Sequence, residues 1–174
     1  MFLTKKTIPN LISLSRIIML APIYWLFETN PVVAFLIFLL AALTDWFDGL
    51  VARWLGAESE LGAILDPFAD KFLYIGALWA MYDPLPIFWT IVFTVPPESF
   101  LMLIRIPPLK NLLKPSIKAT KIGKIKMGFQ SSAVILMMLW FIWKTPILIV
   151  LGMTIANIAV FFSWWSLWSH FQNR

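Results

Sequence analysis

The chain has 174 residues, 60% of them hydrophobic and only 13% charged, against about 25% charged and 45–50% apolar in a water-soluble domain. One water-solvated core cannot absorb that excess, so lipid must solvate much of the surface. With no cysteine, a disulfide framework, a thiolate nucleophile and a thiolate metal site are excluded.

The chain opens on a short arm, residues 1–10, that carries Lys5 and Lys6. The apolar run after it lacks an A-x-A-like cleavage site and is followed by further apolar runs, so it reads as a retained transmembrane helix, not a signal peptide. Backbone exposed to lipid must satisfy its own hydrogen bonds, and continuous apolar runs of about 17–25 residues do so as helices. Six such runs are expected, at 11–27, 32–49, 68–81, 85–106, 128–143 and 146–168. The third is short and should continue below the membrane through Asp66. Breaks fall at Asn30-Pro31, Asp83-Pro84 and Lys144-Thr145-Pro146, where proline cannot continue a preceding helix. The expected fold is an all-α integral membrane protein, a single domain over 1–174 built as a bundle of six transmembrane helices.

The placement of charge orients this bundle. Lys5, Lys6, Arg53 and Arg174 fall on one side, together with Arg105, Lys110, Lys114, Lys118, Lys121, Lys124 and Lys126 around the fourth connection. The opposite side offers Lys144 beside the acidic Glu28 and Asp83. The positive-inside bias makes both termini and both long connections cytoplasmic, with a bacterial inner membrane as the expected location. A net charge of +5 does not call for nucleic acid, because basic side chains pressed against a bilayer already face anionic lipid.

Four carboxylates interrupt the apolar pattern between residues 44 and 70. Asp45 and Asp48 are three residues apart at the end of the second run, and Asp66 and Asp70 four apart at the start of the third. Each pair shares one helix face, and a short connection makes the two helices antiparallel neighbours. A charge at the centre of a spanning helix costs about 2.5–3.5 kcal/mol on insertion scales, so something must compensate even near the interface. Arg53 and Lys71 can neutralise two of the acids, a proton relay is a second reading, and divalent cations such as Mg²⁺ or Mn²⁺ suit all four. Gly49, Ala52 and Gly62 beside the acids allow close helix packing or the approach of a phosphate to the backbone.

Written out, Asp45-x2-Asp48-Gly49-x2-Ala52-Arg53-x8-Gly62-x3-Asp66-x3-Asp70 resembles the complete signature of the CDP-alcohol phosphotransferase family. The resemblance implies two bound divalent ions, with Asp45 and Asp66 contacting both, Asp48 one, and Asp70 the other. Asp70 would also be the base that accepts the proton of the acceptor hydroxyl. Gly49, Ala52, Arg53, Ser59 and Gly62 would contact the CDP-lipid, and Pro9-Asn10 would close over its nucleotide, although Asn10 can equally be the N-cap of the first helix. A homodimer is also implied. Attack at the lipid-linked phosphorus would expel CMP without a covalent enzyme intermediate.

Ile8-Pro9-Asn10-Leu11-Ile12-Ser13-Leu14-Ser15-Arg16, and Ile122-Gly123-Lys124-Ile125-Lys126 followed by Gln130, are similar to the bacterial branch of that family that joins CDP-diacylglycerol to glycerol 3-phosphate. An acceptor bearing a phosphate wants cations, and Arg105, Lys124 and Lys126 can supply them, with Glu98 either on the acceptor's hydroxyls or paired with Arg105. That branch usually carries Arg-Glu in the fourth span, where this chain has Pro97-Glu98, and Thr where this chain has Met127. The alternatives are a member of the family whose acceptor is phosphatidylglycerol and, from another class, an ion or proton transporter with an intramembrane acidic cluster. The transporter lacks support from any inverted repeat.

Overall fold

The computed structural model describes residues 7–55, 60–83, 85–104 and 121–172; for 7–9, 45–55, 60, 61, 63, 64, 85, 121–124 and 170–172 it describes the backbone alone. Every regular element among them is a helix: α1 (Thr7–Thr29), α2 (Pro31–Leu55), α3 (Glu60–Ala80), α4 (Leu85–Leu103), α5 (Lys121–Trp143) and α6 (Pro146–Gln172).

The helix ends follow local chemistry. Asn30 caps α2, its Oδ1 accepting from the Val33 N–H at 3.2 Å, and Pro31 takes the first helical position, where no N–H is needed. Lys144 ends α5 in the left-handed region at φ 53°, and its N–H donates to the Trp140 carbonyl at 2.7 Å. The Lys144 ammonium lies 5.1 Å and 4.9 Å from the ring centroids of Trp140 and Phe141, a cation–π contact that helps hold a conformation a lysine rarely adopts.

Several helices run beyond the apolar stretches that announce them, α2 to Leu55 and α3 from Glu60 among them. Helix α1 begins at Thr7, so Pro9 and Asn10 are helical residues of its first turn and Asn10 is not the N-cap. Proline is tolerated there because the N–H groups of a first turn have no helical acceptor. Helix α5 begins at Lys121, so Lys124 and Lys126 stand on a helix and not in a loop. An apolar run stops at its first lysine, whereas the backbone continues, since lysine and isoleucine are both compatible with a helix and lysine's stem is apolar.

Among the described residues four helices are long and apolar enough to cross a bilayer, at Asn10–Thr29, Pro86–Leu103, Ile125–Trp143 and Pro146–Ser169. Helix α2 offers a shorter apolar stretch, Pro31–Thr44, and α3 carries Glu60, Asp66, Asp70 and Lys71. The side chains are distributed inside out relative to a water-soluble protein. Ile18, Trp25, Leu36 and Trp168 point outward, while Arg16, Glu98 and Ser163 are fully buried. That inversion is what a lipid environment selects, because hydrocarbon solvates apolar groups and leaves polar ones to pair with each other. The chain is an integral membrane protein.

The helices group into two compact units, Met1–Ala80 and Met81–Arg174. In the first, α1 lies against both α2 and α3, over a core that includes Ile23, Phe27, Phe38, Leu73 and Leu78. At Gly76 the α1–α3 approach is so close that a β-carbon would come within 2.7 Å of Leu20 Cδ2, the small-residue packing expected between membrane helices. In the second, α6 lies against both α5 and α4, around Ile87, Val134, Met137, Met138 and Ala156.

Candidate active site

Two of the four motif aspartates have described side chains, and α1 holds both. Asp66 and Asp70 are one turn apart on α3, and Ser13 and Arg16 are nearly one turn apart on α1. Spacings of three and four residues, each close to one turn, let the pairs on two packed helices meet. Ser13 Oγ donates to Asp66 Oδ1 at 2.5 Å, and Arg16 Nη1 donates to Asp70 Oδ1 in an ion pair. The Arg16 side chain is 0% exposed and that of Asp70 18%. The guanidinium thus repays, at hydrogen-bond range, part of the cost of holding a carboxylate among helices.

Asp45, Asp48, Gly49, Ala52 and Arg53 lie on the helical backbone of α2, their side chains outside those described, and Ser59 lies outside the described residues altogether. Gly62 is buried in the first turn of α3. Among the described side chains, which do not include those of Asp45 and Asp48, no three acidic, histidine or cysteine groups gather as a metal site. The donor chemistry on α3 nonetheless fits a hard divalent cation, since it consists of carboxylates one turn apart on one face.

The second unit holds a separate polar cluster. Glu98 of α4 accepts three hydrogen bonds on one oxygen, Oε1: from Lys126 Nζ at 2.7 Å, Gln130 Nε2 at 3.0 Å and Ser163 Oγ at 2.7 Å. All four side chains are buried. Arg105 lies outside the described residues, and Lys124 is described by its helical backbone alone. Pro97, beside Glu98, has no N–H to give the Phe93 carbonyl four residues earlier, and Trp164 Nε1 of α6 donates to that carbonyl at 3.2 Å. A neighbouring helix so repairs the bond a proline removes.

Sequence reasoning does not mark four of the participants, Ser13, Arg16, Gln130 and Ser163, as site residues. Arg16 had a signal, being the one cation inside the first apolar run, and an intramembrane ionisable residue marks a site by default. Ser13 and Ser163 had none, since serine is common on membrane helices and reveals its partner only when a second helix packs against it.

A comparison with protein families matches residues 6–165 to CDP-alcohol phosphatidyltransferase, and the chain belongs to that family. Among curated proteins, it is 33% identical over 177 aligned residues to the CDP-diacylglycerol–glycerol-3-phosphate 3-phosphatidyltransferase of Salmonella choleraesuis, covering 95% of this chain and 91% of that protein. The enzyme of the same description from Escherichia coli K12 is 32% identical over 181 residues with the same coverage. That from Blochmanniella floridana is 36% identical over 138 residues, covering 74% of this chain and 71% of the relative.

Proposed function

We propose that this chain transfers the phosphatidyl group of CDP-diacylglycerol to glycerol 3-phosphate, giving phosphatidylglycerophosphate and CMP. The observation that carries this reading is one-third identity to enzymes of that activity over nearly the whole chain, joined to a motif whose four aspartates stand on helical backbone. Six spans with both termini and the motif on the cytoplasmic side of a bacterial inner membrane complete it, supported by the one-sided placement of Lys and Arg. The proposed assembly is a homodimer.

Asp45, Asp48, Asp66 and Asp70 would hold the divalent ions, Mg²⁺ or Mn²⁺, which when bound supply positive charge to the pyrophosphate. The residues of the chain account for the rest. Ser13 and Arg16 fix the rotamers of Asp66 and Asp70 from α1. The Asp70 carboxylate takes the proton of the acceptor hydroxyl as its oxygen attacks the lipid-linked phosphorus. The new P–O bond forms on one face while the bond to CMP breaks on the other, and CMP departs with the electron pair. Gly49, Ala52, Arg53, Ser59 and Gly62 are the proposed contacts to the CDP-lipid, with Pro9 and Asn10 over the nucleotide. Arg105 and Lys124 are the proposed contacts to the acceptor phosphate.

Purified protein supplied with labelled CDP-diacylglycerol, glycerol 3-phosphate and Mg²⁺ or Mn²⁺ should release CMP and form a phosphatidylglycerophosphate product. Turnover without divalent ion would remove the mechanism, and no product with this acceptor would remove the substrate assignment. Pro97, where relatives in the glycerol 3-phosphate branch usually carry arginine, favours phosphatidylglycerol as the second acceptor to supply.

A further inference from the structure

Glu98, Lys126, Gln130 and Ser163 lie outside the aspartate motif, on three different helices of the second unit. Their convergence on one carboxylate oxygen makes that oxygen a hub, with donors at 2.7, 3.0 and 2.7 Å. Lys126 was expected among the cations that meet an acceptor phosphate, yet its side chain is 6% exposed and faces a carboxylate that is 0% exposed. A cation so placed has its charge compensated at contact range in a low dielectric, and moving it to a phosphate would break that buried ion pair. Ser163 is also held by the Ala159 carbonyl at 3.0 Å, and the next residue, Trp164, binds the carbonyl that Pro97 frees. Helix α6 therefore grips α4 on both sides of the proline and presents Glu98 to α5 as a rigid acceptor.

We propose that Glu98 is a positioning residue that, through Lys126, fixes the basic N-terminal end of α5 against α4 and α6, and that Lys126 serves this hub instead of touching the acceptor phosphate. Lys124 stands two residues earlier on the helical backbone of α5. It belongs, with Lys121, to the turn whose placement the hub sets. The functional half of this proposal rests on a phosphate-bearing acceptor; the hub itself does not.

The test is a double-substitution cycle on the full chain, purified in detergent. Glu98→Gln keeps an oxygen for Gln130 and Ser163 but leaves the Lys126 ammonium without a counter-charge. Lys126→Met removes the ammonium that Glu98 meets, and the double variant removes both charges. Each single substitution should raise KM for glycerol 3-phosphate about tenfold and lower the apparent unfolding temperature, with kcat and KM for CDP-diacylglycerol within about twofold. The double variant should return KM to within about threefold of the unsubstituted protein and recover most of the unfolding temperature. A double variant that keeps the KM of Lys126→Met would overturn the proposal, because the ammonium would then be touching the phosphate. Additive losses of unfolding temperature would overturn the hub. Should a single variant fail to fold, Gln130→Leu weakens the hub without stranding a charge. It should raise the same KM about threefold at constant kcat, and no change would overturn the proposal. Absence of turnover with glycerol 3-phosphate in the unsubstituted protein would count against the assigned reaction, while the unfolding cycle would still decide the hub.

Discussion

Replacing Arg16 by methionine keeps an unbranched apolar stem and removes the guanidinium that meets Asp70. Arg16 is fully buried and Asp70 retains 18% exposure, so partial solvation of the carboxylate places the loss at the lower end of the range for breaking a buried pair, about 3 kcal/mol. For a chain of this length each kcal/mol moves the unfolding midpoint by about 2–4 °C, which gives a fall of about 6–12 °C. Thermal unfolding of the purified protein in detergent, followed by tryptophan fluorescence, reads the shift directly. Asp70→Asn introduced into the Arg16→Met protein should cost less than it does alone, because the carboxylate that the first substitution deprives of its guanidinium is then neutral. A fall below about 2 °C, or fully additive losses, would refute the argument that these two side chains stabilise each other.

Asp70→Asn on its own should reduce CMP release by a factor of about 10² or more while far-ultraviolet circular dichroism stays helical. Near-normal turnover would reject Asp70 as the base. Trp164→Phe removes the indole N–H that the Phe93 carbonyl accepts, at a cost of about 1 kcal/mol. Pro97→Ala returns a backbone N–H to that carbonyl, so in the Pro97→Ala protein the Trp164→Phe substitution should become nearly silent in thermal unfolding. Equal sensitivity in both backgrounds would show that the indole bond does not answer the proline.

The number and order of helices could be read along the chain because each obeys a local rule. Asn30 and Pro31 announce the start of α2, and the Lys144–Pro146 break ends α5 and opens α6. The rule failed where polarity and backbone conformation part company. Lysines at 121, 124 and 126 read as a loop by charge yet continue a helix. In α3 the charges of Asp66, Asp70 and Lys71 break the apolar pattern of a spanning segment while the helix runs on unbroken. Asp66 and Asp70 were visible as one-face neighbours from a four-residue spacing, but nothing in that spacing could name Ser13 and Arg16 as their partners.

Spacing within a helix is a property of consecutive residues, and so the motif, its family and its shared face follow from the order of amino acids alone. Pairing across helices depends on which faces pack and at what axial offset. That is why Glu98 meets Lys126, Gln130 and Ser163, residues 28, 32 and 65 positions away in the chain, and why the Lys126 ammonium is buried against a carboxylate. In a lipid environment a buried charge must find its counter-charge within the protein, and only the packed helices specify where that partner stands.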